Sequence, residues 1–116
     1  MDDVDYIANN ISELAVLMAL AEEASELSKA AMKYARAKGL LDNPTPISVE
    51  QAENDLIEEY NDLLICVGVL NKIPSLTICV DVDLRKRKCR RWAERIKNYK
   101  TKLEEKHGRG KEKADK

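Results

Sequence analysis

The stretch from Ile11 to Lys38 limits the fold more than any other, because it holds neither proline nor glycine and spaces its apolar residues three and four apart. Leu14, Leu17, Met18, Ala21, Ala24, Leu27, Ala31 and Ala35 carry that spacing. A helix gathers residues three or four apart on one face, whereas a strand needs strict alternation, so the segment predicts a long helix. Asn9, Asn10 or Ser12 can cap its start, and Gly39 stands where a helix end favours left-handed backbone. Val16, Leu20 and Tyr34 widen the apolar stripe well beyond one face. A helix apolar over most of its circumference must be covered from more than one side, and a second subunit is one source of that cover.

The remaining segments extend the same reading. Leu40 to Ile47, with Asn43-Pro44-Thr45-Pro46, reads as a loop, since each proline discourages helix at the residue before it. Ser48 with Gln51 forms a capping-box signature for a second long helix that runs to about Asn71. Its expected core side is Ala52, Leu56, Tyr60, Leu63, Val67 and Leu70, and Pro74 ends it. Leu76 to Val82 has the look of a short strand but nothing to pair with, so it reads as a connection or helical turn. Asp81 or Asp83 caps a third long helix to about Leu103, with Leu84, Trp92, Ile96 and Tyr99 as packing residues. Met1 to Asn10 has room for a short helix. His107 to Lys116 is polar and of low complexity, which predicts a disordered tail at 107–116 and leaves 1–106 as one helical domain.

Composition agrees with helices. With no Phe, one Trp and four Tyr among 116 residues, the aromatic content is too low to favour a sheet. The expected fold class is all-α: an antiparallel helical bundle of three long helices plus short helical segments, completed by oligomerisation. Cys66, Cys79 and Cys89 are odd in number and form no CxxC pair, so neither a disulfide framework nor a zinc site is expected. No signal-peptide pattern or membrane-length apolar run is present, so the expected location is cytoplasmic, with no membrane partner.

The net charge of −1 conceals a division. Residues 1–62 hold 14 acids and 4 bases, while residues 63–116 hold 7 acids and 16 bases. A chain divided in this way can hold a metal with one half and phosphates with the other, or simply neutralise itself.

Two acidic groups stand out, Glu22-Glu23-x-x-Glu26 in the first long helix and Glu59-x-x-Asp62 in the second, the latter preceded by Glu58 and Asp55. At about 100° per residue, Glu23 falls beside Val16, Ala19, Leu27 and Ala30, and Glu59 beside Leu63, Cys66 and Leu70. Each helix therefore directs carboxylates at the margin of its core stripe. Charge placed there needs a partner, and converging carboxylates suit a divalent cation. An all-oxygen set favours Mg2+ or Mn2+ over zinc. The competing reading of such acids is a solvated helix face, with Glu26 paired to Lys29.

These motifs resemble the MazG-like superfamily of all-α nucleoside triphosphate pyrophosphohydrolases, marked by EExxE on one helix and ExxD on a later one. Each motif is followed here by a leucine, Leu27 or Leu63, and the resemblance covers about residues 10–100. It implies Mg2+-dependent hydrolysis of a ribo- or deoxynucleoside triphosphate to the monophosphate and pyrophosphate. It implies Glu23, Glu26, Glu59 and Asp62 as metal ligands, with Glu22 and Glu23 orienting or activating water. It further implies basic residues that meet the triphosphate, for which Lys86, Lys88, Arg90 and Arg91 are the candidates and Lys88 and Arg91 the preferred pair, and a homodimer or homotetramer. The 32 residues between Glu26 and Glu59 make a longer gap than the family pattern, and Pro44 and Pro46 mark the excess as loop. Two other readings compete: nucleic-acid binding through the basic segment 85–100, and a catalytically inactive helical oligomer.

Overall fold

The computed structural model describes residues 2–39, 42 and 46–114, with side chains through residue 108. Its elements are α1 (Asp3–Asn10), α2 (Glu13–Ala37), α3 (Val49–Asn71) and α4 (Val82–Ala114). Among the described residues there is no strand, so the fold is all-α. The expected loop at 40–47 falls largely outside the described residues.

Local chemistry sets the helix boundaries. One of the four orphan N–H groups at each helix start is met by a side-chain acceptor just before it. Asp2 Oδ1 accepts from the Asp5 N–H at 2.8 Å, Ser12 Oγ from Ala15 at 3.1 Å, and Ser48 Oγ from Gln51 at 3.0 Å. Asp81 Oδ1 does the same for Leu84 at 2.9 Å. At Ser48 only half of the capping box forms, because Gln51 Nε2 turns forward to Asp55 Oδ1 at 2.8 Å. Gly39, at φ 73°, takes the left-handed position that follows α2. After α3, Lys72 caps the helix end and Ile73 to Leu76 closes a turn, so the segment read as a connection or helical turn is a connection until α4 begins at Val82.

The chain divides into two compact units, Met1–Cys79 and Val80–Lys116. In the first, α2 and α3 pack along one another and α1 packs on α3. The core at one end of this hairpin gathers Ala8, Val16, Val69, Leu70 and Ile73, with Val4, Ile11, Leu20 and Leu76 against it. Ala30 and Ala52 are buried further along. Lys72 Nζ, 2.6 Å from Asp5 Oδ1 and 3.9 Å from Asp2 Oδ2, ties the end of α3 to α1. That contact holds the Asp5 carboxyl below, and the Lys72 ammonium above, their ordinary values.

The core is narrower than the apolar pattern predicts. Of the residues expected inward on α2, Leu14, Leu17, Met18, Ala21, Ala24 and Ala31 are exposed, while Leu27 and Ala35 are half-buried. On α3, Ala52 and Leu70 are buried and Leu56, Leu63 and Val67 half-buried, but Tyr60 is exposed. The reason is geometric: two helices can cover only one face of each other, so a stripe wider than one face leaves its second flank bare.

The second unit is α4. It continues past Leu103 through His107 to Ala114, so the segment expected to be disordered keeps helical backbone over most of its length; residues 115–116 lie outside the described ones. Leu84, Trp92, Ile96 and Tyr99, expected to pack, are all exposed. Among the described residues no helix is long and apolar enough to cross a membrane.

Candidate metal centre

The inward stripe of α2 runs Val16, Leu20, Glu23, Leu27, Ala30 and Tyr34; that of α3 runs Ala52, Leu56, Glu59, Leu63, Cys66 and Leu70. Each is an apolar row interrupted near its middle by one glutamate. The helices run antiparallel, with Val16 near Val69 and Leu70, so the two interruptions coincide. Glu23, Glu59 and Asp62 each bring one carboxylate oxygen within 4.8 Å of the others, and all three are half-buried. Asp62 joins because it stands one helical turn after Glu59, on the same margin.

The electrostatics record this crowding. Burial pushes the Glu59 carboxyl above its ordinary value, and the charges of Asp62, Glu23, Glu26 and Glu58 push it further the same way. Cys66 borders the cluster: burial raises its thiol first, then the charges of Glu23 and Asp62. The ligand atoms that converge are all carboxylate oxygens, so the donor set is oxygen only. Oxygens bound about 2.1 Å from a Mg2+ ion stand roughly 3–4 Å apart. The three carboxylate oxygens, within 4.8 Å of one another, lie close to that spacing. The residues present therefore fit a hard divalent cation that keeps further positions for water or phosphate oxygen.

Glu26, the fourth expected ligand, lies outside this group of three. It pairs with Lys29 Nζ at 3.4 Å on the exposed side of α2, although its charge still acts on Glu59. Glu22 is exposed one residue before Glu23. Asp55 is half-buried and occupied by Gln51.

Lys86, Lys88 and Arg91 belong to the second unit, where each is exposed on α4. Lys88 and Arg91, with Arg85, Arg95 and Trp92, line an open hollow of about 550 Å³ within that unit. Of the residues expected to contact phosphate, Lys88 and Arg91 line this hollow and Lys86 does not, while Arg85 and Arg95 lie outside that expected set. A seven-residue spacing from Lys88 to Arg95 across Trp92 is the signal that marks the four as one face.

Comparison of the chain with family models, with characterised proteins and with solved structures gives no match.

Proposed function

We propose that this protein is a Mg2+-dependent nucleoside triphosphate pyrophosphohydrolase of the MazG-like kind, acting as a homo-oligomer. One observation carries the reading: Glu23, Glu59 and Asp62, from two helices, converge half-buried where their inward stripes meet. Surface acids repel and spread into water, and nothing in packing explains placing three of them together at a helix interface. The raised proton affinity of Glu59 is the mark of a group held against its own electrostatics, as at functional sites.

In this reading Glu23, Glu59 and Asp62 would hold the cation, and Glu26 would join them on leaving Lys29. A bound Mg2+ neutralises phosphate charge and lowers the pKa of its water. Glu22 or Glu23 orients a water molecule for in-line attack on the α-phosphorus and takes its proton. The new bond joins the water oxygen to that phosphorus as the α–β anhydride breaks, giving the nucleoside monophosphate and pyrophosphate. Lys86, Lys88 and Arg91 are assigned contact with the triphosphate on the resemblance of the motifs alone. Cationic groups at the leaving pyrophosphate oppose the charge that develops there.

The test is a panel of ribo- and deoxynucleoside triphosphates with Mg2+, read as pyrophosphate release, beside a thermal melt with and without the ion. The parent is expected to release pyrophosphate from at least one nucleotide and to melt at higher temperature with Mg2+. Glu59→Gln is expected to lose at least about 100-fold in rate and all of the Mg2+-induced shift while keeping its helical spectrum. Glu26→Gln should lose less, since its carboxylate must first be drawn from Lys29. Parent protein inert to every nucleotide and unmoved by Mg2+ or Mn2+ would leave a helical protein without this chemistry.

A further inference from the structure

Helix α4 carries an apolar row that nothing in its own unit covers. Cys89, Trp92, Ile96, Tyr99 and Leu103 follow one another at alternating steps of three and four residues. Such steps average about 3.5 residues and gather all five along one narrow line of the helix. The row is exposed throughout: Trp92 by 63%, Ile96 by 45%, Tyr99 by 64% and Leu103 by 37%, with Cys89 exposed beside them. Among the described residues the second unit holds this one helix, so the row has no partner within that unit.

The shape of the row and the charge of its margins select what can cover it. In shape it is a coiled-coil seam, narrower than the broad apolar face of a helix that lies in a lipid surface. Trp92, Arg95, Ile96 and Tyr99 line a hollow on this face. Residues at i, i+3, i+4 and i+7 are the four corners of the hole that takes one side chain of a facing helix. The margins choose the partner, because they lie against its own flanking residues. Lys88, Arg95 and Lys102 stand along one margin, and Lys86, Ala93 and Lys100 along the other. The acids Asp83, Glu94, Glu104 and Glu105 stand outside both. Two copies of α4 laid together set base against base in either direction, which opposes self-pairing. A helix with acids beside its apolar row meets the same bases favourably.

We infer that α4 is a docking helix for a different protein, and that its occupant is an amphipathic helix with acidic residues on both sides of its apolar row. Arg95 and Lys102, which carry the test below, have no part in the hydrolase reading, so the docking row and that reading fail separately.

Trp92 is the only tryptophan of the chain and stands within the row, so its emission reports directly on cover. The probe is a synthetic helix of about three heptads, with Leu along its row and Glu on both margins, titrated into the full chain at low salt. The parent is expected to start with the long-wavelength emission of an indole in water and to shift saturably to shorter wavelength as the probe binds. The same peptide with Lys on its margins, or with Ser in place of Leu, is expected to bind at least about tenfold more weakly. Ile96→Asp is expected to weaken binding more than about 100-fold, with the helical spectrum unchanged because the residue is exposed. Should it fail to fold, Arg95→Glu with Lys102→Glu keeps good helix formers at exposed positions. That double variant is expected to lose about tenfold for the Glu peptide and to gain affinity for the Lys peptide. Three results would overturn the docking row. One is Trp92 emission already at short wavelength and indifferent to the probe, which would mean that the protein covers its own row. Another is equal binding of the Glu and Lys peptides. The third is a shift of Trp92 by anionic vesicles or a single-stranded oligonucleotide where the Glu peptide produces none.

Discussion

At the scale of the residue, Glu59 concentrates the tension in the molecule. It is half-buried among four other acids, and it holds a proton more tightly folded than unfolded. A carboxyl whose folded pKa lies above its unfolded value adds stability at low pH and subtracts it as pH climbs from about 4.5 through the raised value. Metal-free protein is therefore expected to lose thermal stability across that window, and Glu59→Gln to remove the loss. The same substitution should raise the melting temperature of metal-free protein at neutral pH while abolishing its response to Mg2+. Calorimetric melts from pH 4 to pH 8 with chelator check this, and an unchanged or lowered melting temperature for the Gln variant would contradict it. The opposed effects separate a site that gives up stability for binding from an acid that merely tolerates its place.

At the scale of the element, each described helix begins where a side-chain oxygen meets an orphan N–H. Ser12→Ala and Ser48→Ala are expected to cost about 1 kcal/mol each in urea unfolding. Gln51→Ala should cost distinctly less than Ser48→Ala, because Gln51 does not close the capping box and instead bonds Asp55 at 2.8 Å. Equal losses for the two would mean the box closes in solution. The helices are long because no proline or glycine interrupts them over Ile11–Lys38, and α3 ends before Pro74. Their inward rows differ from ordinary core stripes in only one position per helix, the glutamate at mid-length.

For the whole molecule, the division of charge along the chain follows the division into two units. The unit Met1–Cys79 holds 14 acids and 5 bases, and the unit Val80–Lys116 holds 7 acids and 15 bases. The join lies in an irregular, largely exposed stretch from about Pro74 to Asp81. Exposed backbone outside regular hydrogen bonding is where proteases enter first. Brief digestion with a protease of broad specificity is expected to cut between residues 74 and 81 before it cuts within α2 or α3, read by mass spectrometry of the first fragments. First cleavage inside α3 would mean that the two units are not the units of local stability.

The sequence by itself determined the three long helices to within their ends, the Ser48 cap and the two acidic motifs, because these depend on chemistry within a turn or two of the chain. Ser12, Ser48 and Gly39 act on their immediate neighbours, and the spacing of Glu59 and Asp62 is a property of any helix. Only the tertiary structure decided which flank of each wide apolar stripe lies inside, since periodicity fixes a stripe's phase along one helix but not its partner. The same fact leaves Leu17 and Leu64 outside and Val16 within. Tertiary packing alone also brought Glu23 to Glu59 and Asp62 while leaving Glu26 with Lys29: the distance between two helices is set by what packs between them, and no local spacing encodes it.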